Sequence, residues 1–223
     1  PTLSGTGSES TRTCVMTNKK NNLKLGMNSD HTVYDQLIMD PTLTKTVPKD
    51  QYFYSGMDSY IHCIESLNGS YRNVVGDSYS NQVKQLCKSI FLSVNMQSDE
   101  NRSKLMVASY LGGCAIATSY VGLIHPFSAG LSVALGLHHC EANCIAFRAL
   151  SEFYEDESKE FEEMCLRQNI DLRSSVCSNL NDKTLDLLFQ STIIHEKPLT
   201  NALGVDYKKI LTKEKVISIF LKM

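Results

Sequence analysis

Gly56-Met57-Asp58-Ser59-Tyr60-Ile61-His62-Cys63-Ile64 is the stretch that decides how this chain is read. Asp58 and His62 stand four residues apart, which stacks two side chains one turn apart on one face of a helix. No other charge lies among their neighbours, so the pair is expected to face inward. Buried ionisable groups need partners. An Asp–His hydrogen bond on a helix surface is the plainer alternative, and what surrounds the pair decides between the two. The window sits within Gln51–Asn68, a helix-compatible run that stops at Asn68-Gly69.

Working outward, His125 and His139 are the candidate partners. Both lie in a stretch without Asp, Glu, Lys or Arg between Lys104 and Glu141. Fourteen residues of continuous helix would hold them roughly 21 Å apart, whereas ligands of one metal ion each lie about 2 Å from it. The chain must therefore break between them. Pro126 suits a helix start, and Leu135-Gly136-Leu137 suits a stop. A short helix near residues 126–135 is expected, with His139 just before the next one. His138 competes with His139, and spacing alone does not choose. Cys140 and Cys144, four apart, read as small buried hydrophobes rather than soft metal ligands.

The rest of the chain changes character at Pro48. Beyond it, helices are expected over Gln51–Asn68, Asn73–Phe91, Asp99–Gly122, Pro126–Leu135, Glu141–Tyr154, Glu157–Gln168, Asn181–Gln190 and Lys213–Met223. Before it, the loop around Gly5-Thr6-Gly7-Ser8 precedes a short strand at Thr13–Thr17, a polar turn at 18–22 and a second strand at Lys24–Met27. Gln36–Met39 is a third strand candidate. The fold class is mainly α: a helical body over 48–223 with a short β-rich stub over 1–47.

Totals exclude several functions. The 223 residues carry a formal net charge of -2, and the Lys and Arg residues are dispersed, so nothing favours nucleic acid. Eight cysteines occur singly without a CxxC pair, which fits reduced thiols in a cytoplasmic protein. The charge-free stretch falls short of the roughly 20 uninterrupted apolar residues of a membrane span. Gly112-Gly113, Ser119, Tyr120 and His125-Pro126 interrupt it, so a buried helix pair is expected.

Three segments together carry a family resemblance: Gly5-Thr-Gly-Ser-Glu9, Gly56-Met-Asp-Ser-Tyr-Ile-His62, and Gly122-Leu-Ile-His125 through His139-Cys-Glu-Ala-Asn143. In order and spacing they resemble the iron-containing (group III) alcohol dehydrogenases, which have a dehydroquinate-synthase-like fold. The resemblance implies that Asp58, His62, His125 and His139 bind one Fe²⁺ or Zn²⁺ ion. It selects His139 over His138, because the family's usual Pro-His pair aligns with His138-His139. It implies alcohol oxidation, with the ion as Lewis acid and hydride passing to NAD(P). Gly5, Thr6, Gly7 and Ser8 would approach the cofactor pyrophosphate through backbone N–H groups, and Val15 and Lys24 would lie on the nicotinamide side. A homodimer is the implied assembly. The family's N-terminal nucleotide-binding domain is missing, so residues 1–47 read as its remnant and the chain as the C-terminal part of a longer enzyme. A carbon–oxygen lyase of the same fold would carry Glu where Asp58 stands.

More narrowly, Leu23-Lys-Leu-Gly-Met-Asn-Ser-Asp-His31, His125-Pro-Phe-Ser-Ala-Gly130 and Ile194-His-Glu-Lys-Pro-Leu-Thr-Asn-Ala-Leu-Gly204 resemble the branch that oxidises C8 of 3-deoxy-D-manno-octulosonate (Kdo), a lipopolysaccharide sugar acid. Such a substrate needs a cation for its carboxylate, and Arg72, Arg148 and Lys197 are candidates. His195 and Asn201 either line the pocket or cap the Asn201–Gly204 turn. One departure concerns proton transfer. Many family members carry a further His where this chain has Ala129, which leaves Ser128, His138 or water for that task.

Overall fold

The computed structural model describes residues 1–18, 20, 21 and 23–223. Its central element is α1 (Lys49–Asn68), of which fourteen residues are buried. A helix covered on every side has to sit in the middle of the body. Helices α2 (Val74–Phe91), α3 (Asp99–Ser119) and α5 (His139–Ala149) pack around it. An aromatic set fills the space between. Phe53 meets Phe91 with ring centroids 5.2 Å apart, and Phe147 meets Phe161 at 4.9 Å. Each such ring contributes roughly 1.5–3 kcal/mol on full burial.

Side-chain caps set four of the helix starts. Asn73, Ser98, Asn181 and Thr212 each accept a backbone N–H from the first turn of the helix that follows, at α2, α3, α7 (Asp182–Ile193) and α10 (Lys213–Phe220). The third helix stops at Ser119, three residues before the expected Gly122, because Tyr120 turns to φ 59°. After this break α4 runs Ile124–Leu135 and ends on Gly136 at φ 71°, the left-handed stop anticipated there. It begins two residues earlier than Pro126 suggests. Proline is tolerated within the first turn, whose N–H groups lack intrahelical acceptors anyway. His125 is thus helical, and His139 opens α5 instead of preceding it.

The expected Glu141–Tyr154 helix is cut at Ala149, and a 3-10 turn at Ser151–Phe153 leads into α6 (Glu155–Gln168). Two helices were not anticipated, α8 (Glu196–Leu203) and α9 (Tyr207–Ile210). Pro198 and Gly204 obscured them, yet Pro198 falls in the first turn of α8.

Near the N-terminus, β1 (Thr13–Asn18) and β2 (Leu23–Asn28) form an antiparallel pair, with Thr13 opposite Asn28 and Asn18 opposite Leu23. The anticipated turn at 18–22 includes Lys19 and Asn22, which lie outside the described residues. The third candidate strand, Gln36–Met39, is not one: it pairs with no strand among the described residues, and Ile38 is 73% exposed. The hairpin packs on α4 through β2. Among the described residues no single helix is long and apolar enough to cross a membrane. Only α3 and α4 taken together meet that test, and they are bent by 107°. All eight cysteines are free thiols.

Candidate metal centre

Asp58 and His62 lie on the same face of α1, and Glu65 continues that stripe one turn on. The break at Tyr120–Leu123 delivers His125 on the first turn of α4. The stop at Gly136 then lets the chain return so that His139 enters on α5. All four anticipated residues converge. Asp58 is wholly buried, and three imidazole nitrogens face its carboxylate. His62 Nε2 lies 3.5 Å and His125 Nε2 3.4 Å from Oδ1, and His139 Nε2 lies 3.6 Å from Oδ2. The His62 and His125 rings stack, centroids 4.9 Å apart and planes 16° from parallel.

These separations suit one shared cation. Ligand atoms on a tetrahedral ion at about 2.0–2.2 Å are about 3.3–3.6 Å apart, and the observed gaps match that spacing. Donor atoms of Asp58, His125 and His139 all lie within 4.8 Å of one another. His62 is outside that tighter trio and joins through its approach to Asp58.

Burial governs the charges. Desolvation opposes ionisation of Asp58, but His62, His139 and His125 hold its carboxyl below the ordinary carboxylate range. Burial pulls His62 down against the attraction of Asp58, and pushes His139 down to about 4. Neutral imidazoles are the form that ligates metal. His125 differs. Burial lowers it, but Glu65 and Asp58 together raise it to about 10.

The surrounding shell adds Asn143 and Glu65, which the sequence reading did not single out, to Cys140, which it read as a small buried hydrophobe. Asn143, one turn after His139, donates to Asp58 Oδ1 at 2.6 Å, and its Nδ2 lies 3.3 Å from His125 Nε2 and 3.4 Å from His139 Nε2. Cys140 Sγ lies 3.8 Å from Asp58 Oδ2, and burial with that carboxylate keeps the thiol protonated. Glu65 is buried, and its Oε2 contacts His125 Nδ1. The available signals were helical spacings: Glu65 at i+7 from Asp58, Asn143 at i+4 from His139. His138 is exposed and stands at the N-cap position of α5, outside the cluster and without a side-chain cap.

The Gly5–Ser8 loop departs from the expected phosphate cradle. Gly5 N–H donates to Ser109 Oγ at 2.7 Å and Gly7 N–H to the same oxygen at 3.3 Å. Ser8 N–H contacts Thr6 Oγ1 at 3.5 Å, and Ser59 Oγ donates to Gly5 O at 2.8 Å. The N–H groups of Gly5 and Gly7 are thus spent pinning the loop onto α3, while the Gly5 carbonyl ties it to α1. Val15 is 55% exposed on the hairpin. Lys24 Nζ reaches Ser132 Oγ on α4 at 3.1 Å; burial lowers its pKa, while the charges of Asp58 and Cys140 oppose this.

The three cations suggested for a substrate carboxylate are engaged elsewhere. Arg72 pairs with Asp77 at 2.9 Å, Arg148 forks onto Glu162 at 2.7 and 2.9 Å, and Lys197 Nζ sits 3.5 Å above the Tyr120 ring. Asn201 neither lines the pocket nor caps its own turn: it is buried and ties Tyr71 to Ser119 and Val121. His195 is pushed down to about 4 by burial, with Lys24 and His125 adding to the effect. Its Nε2 is buried without a hydrogen bond among the described residues. Ser128 Oγ donates to His125 O at 3.0 Å, so its proton is held within α4.

Residues 52–188 match the Fe-containing alcohol dehydrogenase family, C-terminal. Sulfoacetaldehyde reductase of Bilophila wadsworthia is 30% identical over 141 residues, 62% of this chain and 36% of that protein. 1,3-Propanediol dehydrogenase of Citrobacter freundii is 30% identical over 149 residues, 65% of this chain and 38% of that protein. The chain spans under half the length of these curated relatives. Among solved structures, sulfoacetaldehyde reductase from Bifidobacterium kashiwanohense in complex with NAD+ superposes with TM-score 0.82 at 21% identity, covering 99% of this chain and 62% of that one. The iron-containing alcohol dehydrogenase of Thermotoga maritima gives TM-score 0.78 at 20% identity, covering 100% of this chain and 63% of that one. With a family match running from the first turns of α1 into α7, across every element that carries a cluster residue, the chain belongs to the Fe-containing alcohol dehydrogenase family, of which it holds the C-terminal helical domain.

Proposed function

We propose that this chain is the metal-binding part of an alcohol oxidoreductase in which Asp58, His62, His125 and His139 hold one Fe²⁺ or Zn²⁺ ion. The observation that carries the reading is the convergence of three imidazole nitrogens on one wholly buried carboxylate. A divalent ion held there supplies Lewis acidity to a hydroxyl or carbonyl oxygen, and N/O ligands accept iron and zinc alike. Asp58 supplies the one negative ligand, and Asn143 keeps its carboxylate oriented.

NAD(P) is the proposed hydride partner. Residues 1–47 are assigned to the nucleotide-binding half of the enzyme and 48–223 to the metal-binding half. Because Gly5 and Gly7 spend their N–H groups internally, cofactor contact at this loop falls to Thr6 and Ser8. Val15 and Lys24 approach the cofactor from the hairpin. The assembly is proposed as a cytoplasmic homodimer. For substrate, the broad reading is a small alcohol or its aldehyde, as the relatives' names suggest for those enzymes. The finer reading, oxidation of C8 of 3-deoxy-D-manno-octulosonate, is favoured by Lys24, whose ammonium reaches Ser132 on the helix that carries His125 and offers a cation for an acidic substrate.

The test is metal content by elemental analysis, followed by NAD(P)⁺ reduction with 1,3-propanediol and with the sugar acid, on the enzyme with its nucleotide-binding domain. His125→Ala and His139→Ala should lose the ion while His138→Ala keeps it. Equal loss at His138 would refute the ligand set, and a metal-loaded enzyme that oxidises neither alcohol would refute the activity.

A further inference from the structure

We propose that Glu65 is the positioning residue that presets His125 as a metal ligand. This rests on reading the histidine cluster as a metal centre. Glu65 is 1% exposed, and a carboxylate at that depth must find donors. It takes all of them from the first turn of α4. Its Oε1 accepts the Ile124 N–H and, at 3.3 Å, the His125 N–H, while Oε2 contacts His125 Nδ1. The helix N-terminus favours the negative charge. The chain can pass this closely because residue 122 is glycine: a Cβ there would lie 3.3 Å from Glu65 Cβ.

The consequence is a fixed tautomer. A carboxylate only accepts, so Nδ1 of His125 must donate, and when the ring gives up its second proton the lone pair appears on Nε2. That nitrogen faces Asp58 Oδ1 at 3.4 Å, inside the cluster. Nδ1 of His62 and of His139 are buried without a hydrogen-bond partner among the described residues, so no comparable contact orients those rings. One carboxylate thus closes the first turn of α4 and aims its histidine. Carboxylate–histidine–metal relays of this kind change metal affinity by roughly 10–100-fold when broken.

Glu65→Gln separates aiming from capping. The single glutamine oxygen can still accept the two backbone N–H groups, so the cap survives. Its NH₂ then faces Nδ1, which must become an acceptor. The ring proton moves to Nε2 and blocks ligation. Zn²⁺ affinity is measured by competition with a chromophoric chelator, alongside thermal melts without metal. The expected result is a melt within a few degrees of native and an affinity lower by roughly 10–100-fold. Unchanged affinity in Glu65→Gln, with native binding intact, overturns this inference alone. A native protein that binds no Zn²⁺ overturns the metal-centre reading and this inference with it. Should Glu65→Gln fail to fold, ¹⁵N-histidine NMR of the Zn²⁺-loaded native protein decides. His125 bound through Nε2 with a proton on Nδ1 supports the role, and binding through Nδ1 overturns it.

Discussion

Asn201→Ala should destabilise the protein heavily, though Asn201 touches no residue of the metal cluster. Its Oδ1 accepts the Tyr71 N–H at 2.9 Å, and its Nδ2 donates at 3.0 Å each to the carbonyls of Ser119 and Val121. Its own carbonyl accepts the Ser70 N–H at 2.8 Å, which survives the substitution. Truncation leaves two carbonyls at the end of α3 and one N–H beyond α1 without partners. A buried polar group left unsatisfied costs about 1–3 kcal/mol, and Tyr71 is exposed enough for water to replace part of its loss. The sum is about 3–5 kcal/mol, a large share of the roughly 5–15 kcal/mol typical of a domain. At about 2–4 °C per kcal/mol for a chain of this size, Tm should fall by about 6–20 °C. The assay is urea denaturation followed by circular dichroism. Asn201→Asp sharpens it, because the shape and the acceptor for Tyr71 remain while the NH₂ that donates twice becomes one oxygen facing two carbonyl oxygens. Asn201→Asp should therefore be at least as unstable as Asn201→Ala. A loss below about 1 kcal/mol in both variants would refute the clamp, and with it the account of how α3 ends at Tyr120 so that α4 can carry His125.

Two further outcomes follow from the same geometry. Gly5→Ala should destabilise by about 2–5 kcal/mol, because φ is 143° and a Cβ would lie 1.7 Å from Ser55 O; stability within about 0.5 kcal/mol of native would show that the loop is not pinned on α1. Glu160 should confer a pH-dependent stability. Burial works against its ionisation, but Lys88 and the Tyr60 hydroxyl hold its pKa below the ordinary value. Its contribution is therefore full above the unfolded carboxylate value of about 4.3 and fades as pH falls through the lower folded value. Denaturation curves from pH 7 to 3 should show the gap between native and Glu160→Gln narrowing only at the acid end, and a gap that does not change with pH would contradict the pairing.

How much of this was legible in the sequence depends on how local each determinant is. Asp58 and His62 were legible because the helical period puts them on one face whatever packs against it. The break between His125 and His139 was legible because proline and a left-handed glycine act within a residue or two of themselves. The strand expected at Gln36–Met39 failed for the opposite reason: a short apolar run can suggest a strand, but only a distant partner can complete it, and none among the described residues does so. Glu65 was missed because one acid at the end of a helix ordinarily faces water. What turns it inward is the first turn of α4, some sixty residues on.

The choice between His138 and His139 lies between these cases. Spacing to His125 cannot settle it, since both residues stand where α5 begins. The face of α5 can. Counting from His139, positions i+3, i+4 and i+7 are Ala142, Asn143 and Ala146, all fully buried. Counting from His138, i+3, i+4 and i+7 are Glu141, Ala142 and Ile145; the last two are buried, and only Glu141 pairs away from the cluster, with Arg173. Asn143, which donates to Asp58, marks the side on which α5 approaches α1, and the histidine one turn before it on that side, His139, points at Asp58. That register was present in the sequence once α5 was allowed to begin at 139 instead of 141, and two residues of helix boundary are what kept it hidden.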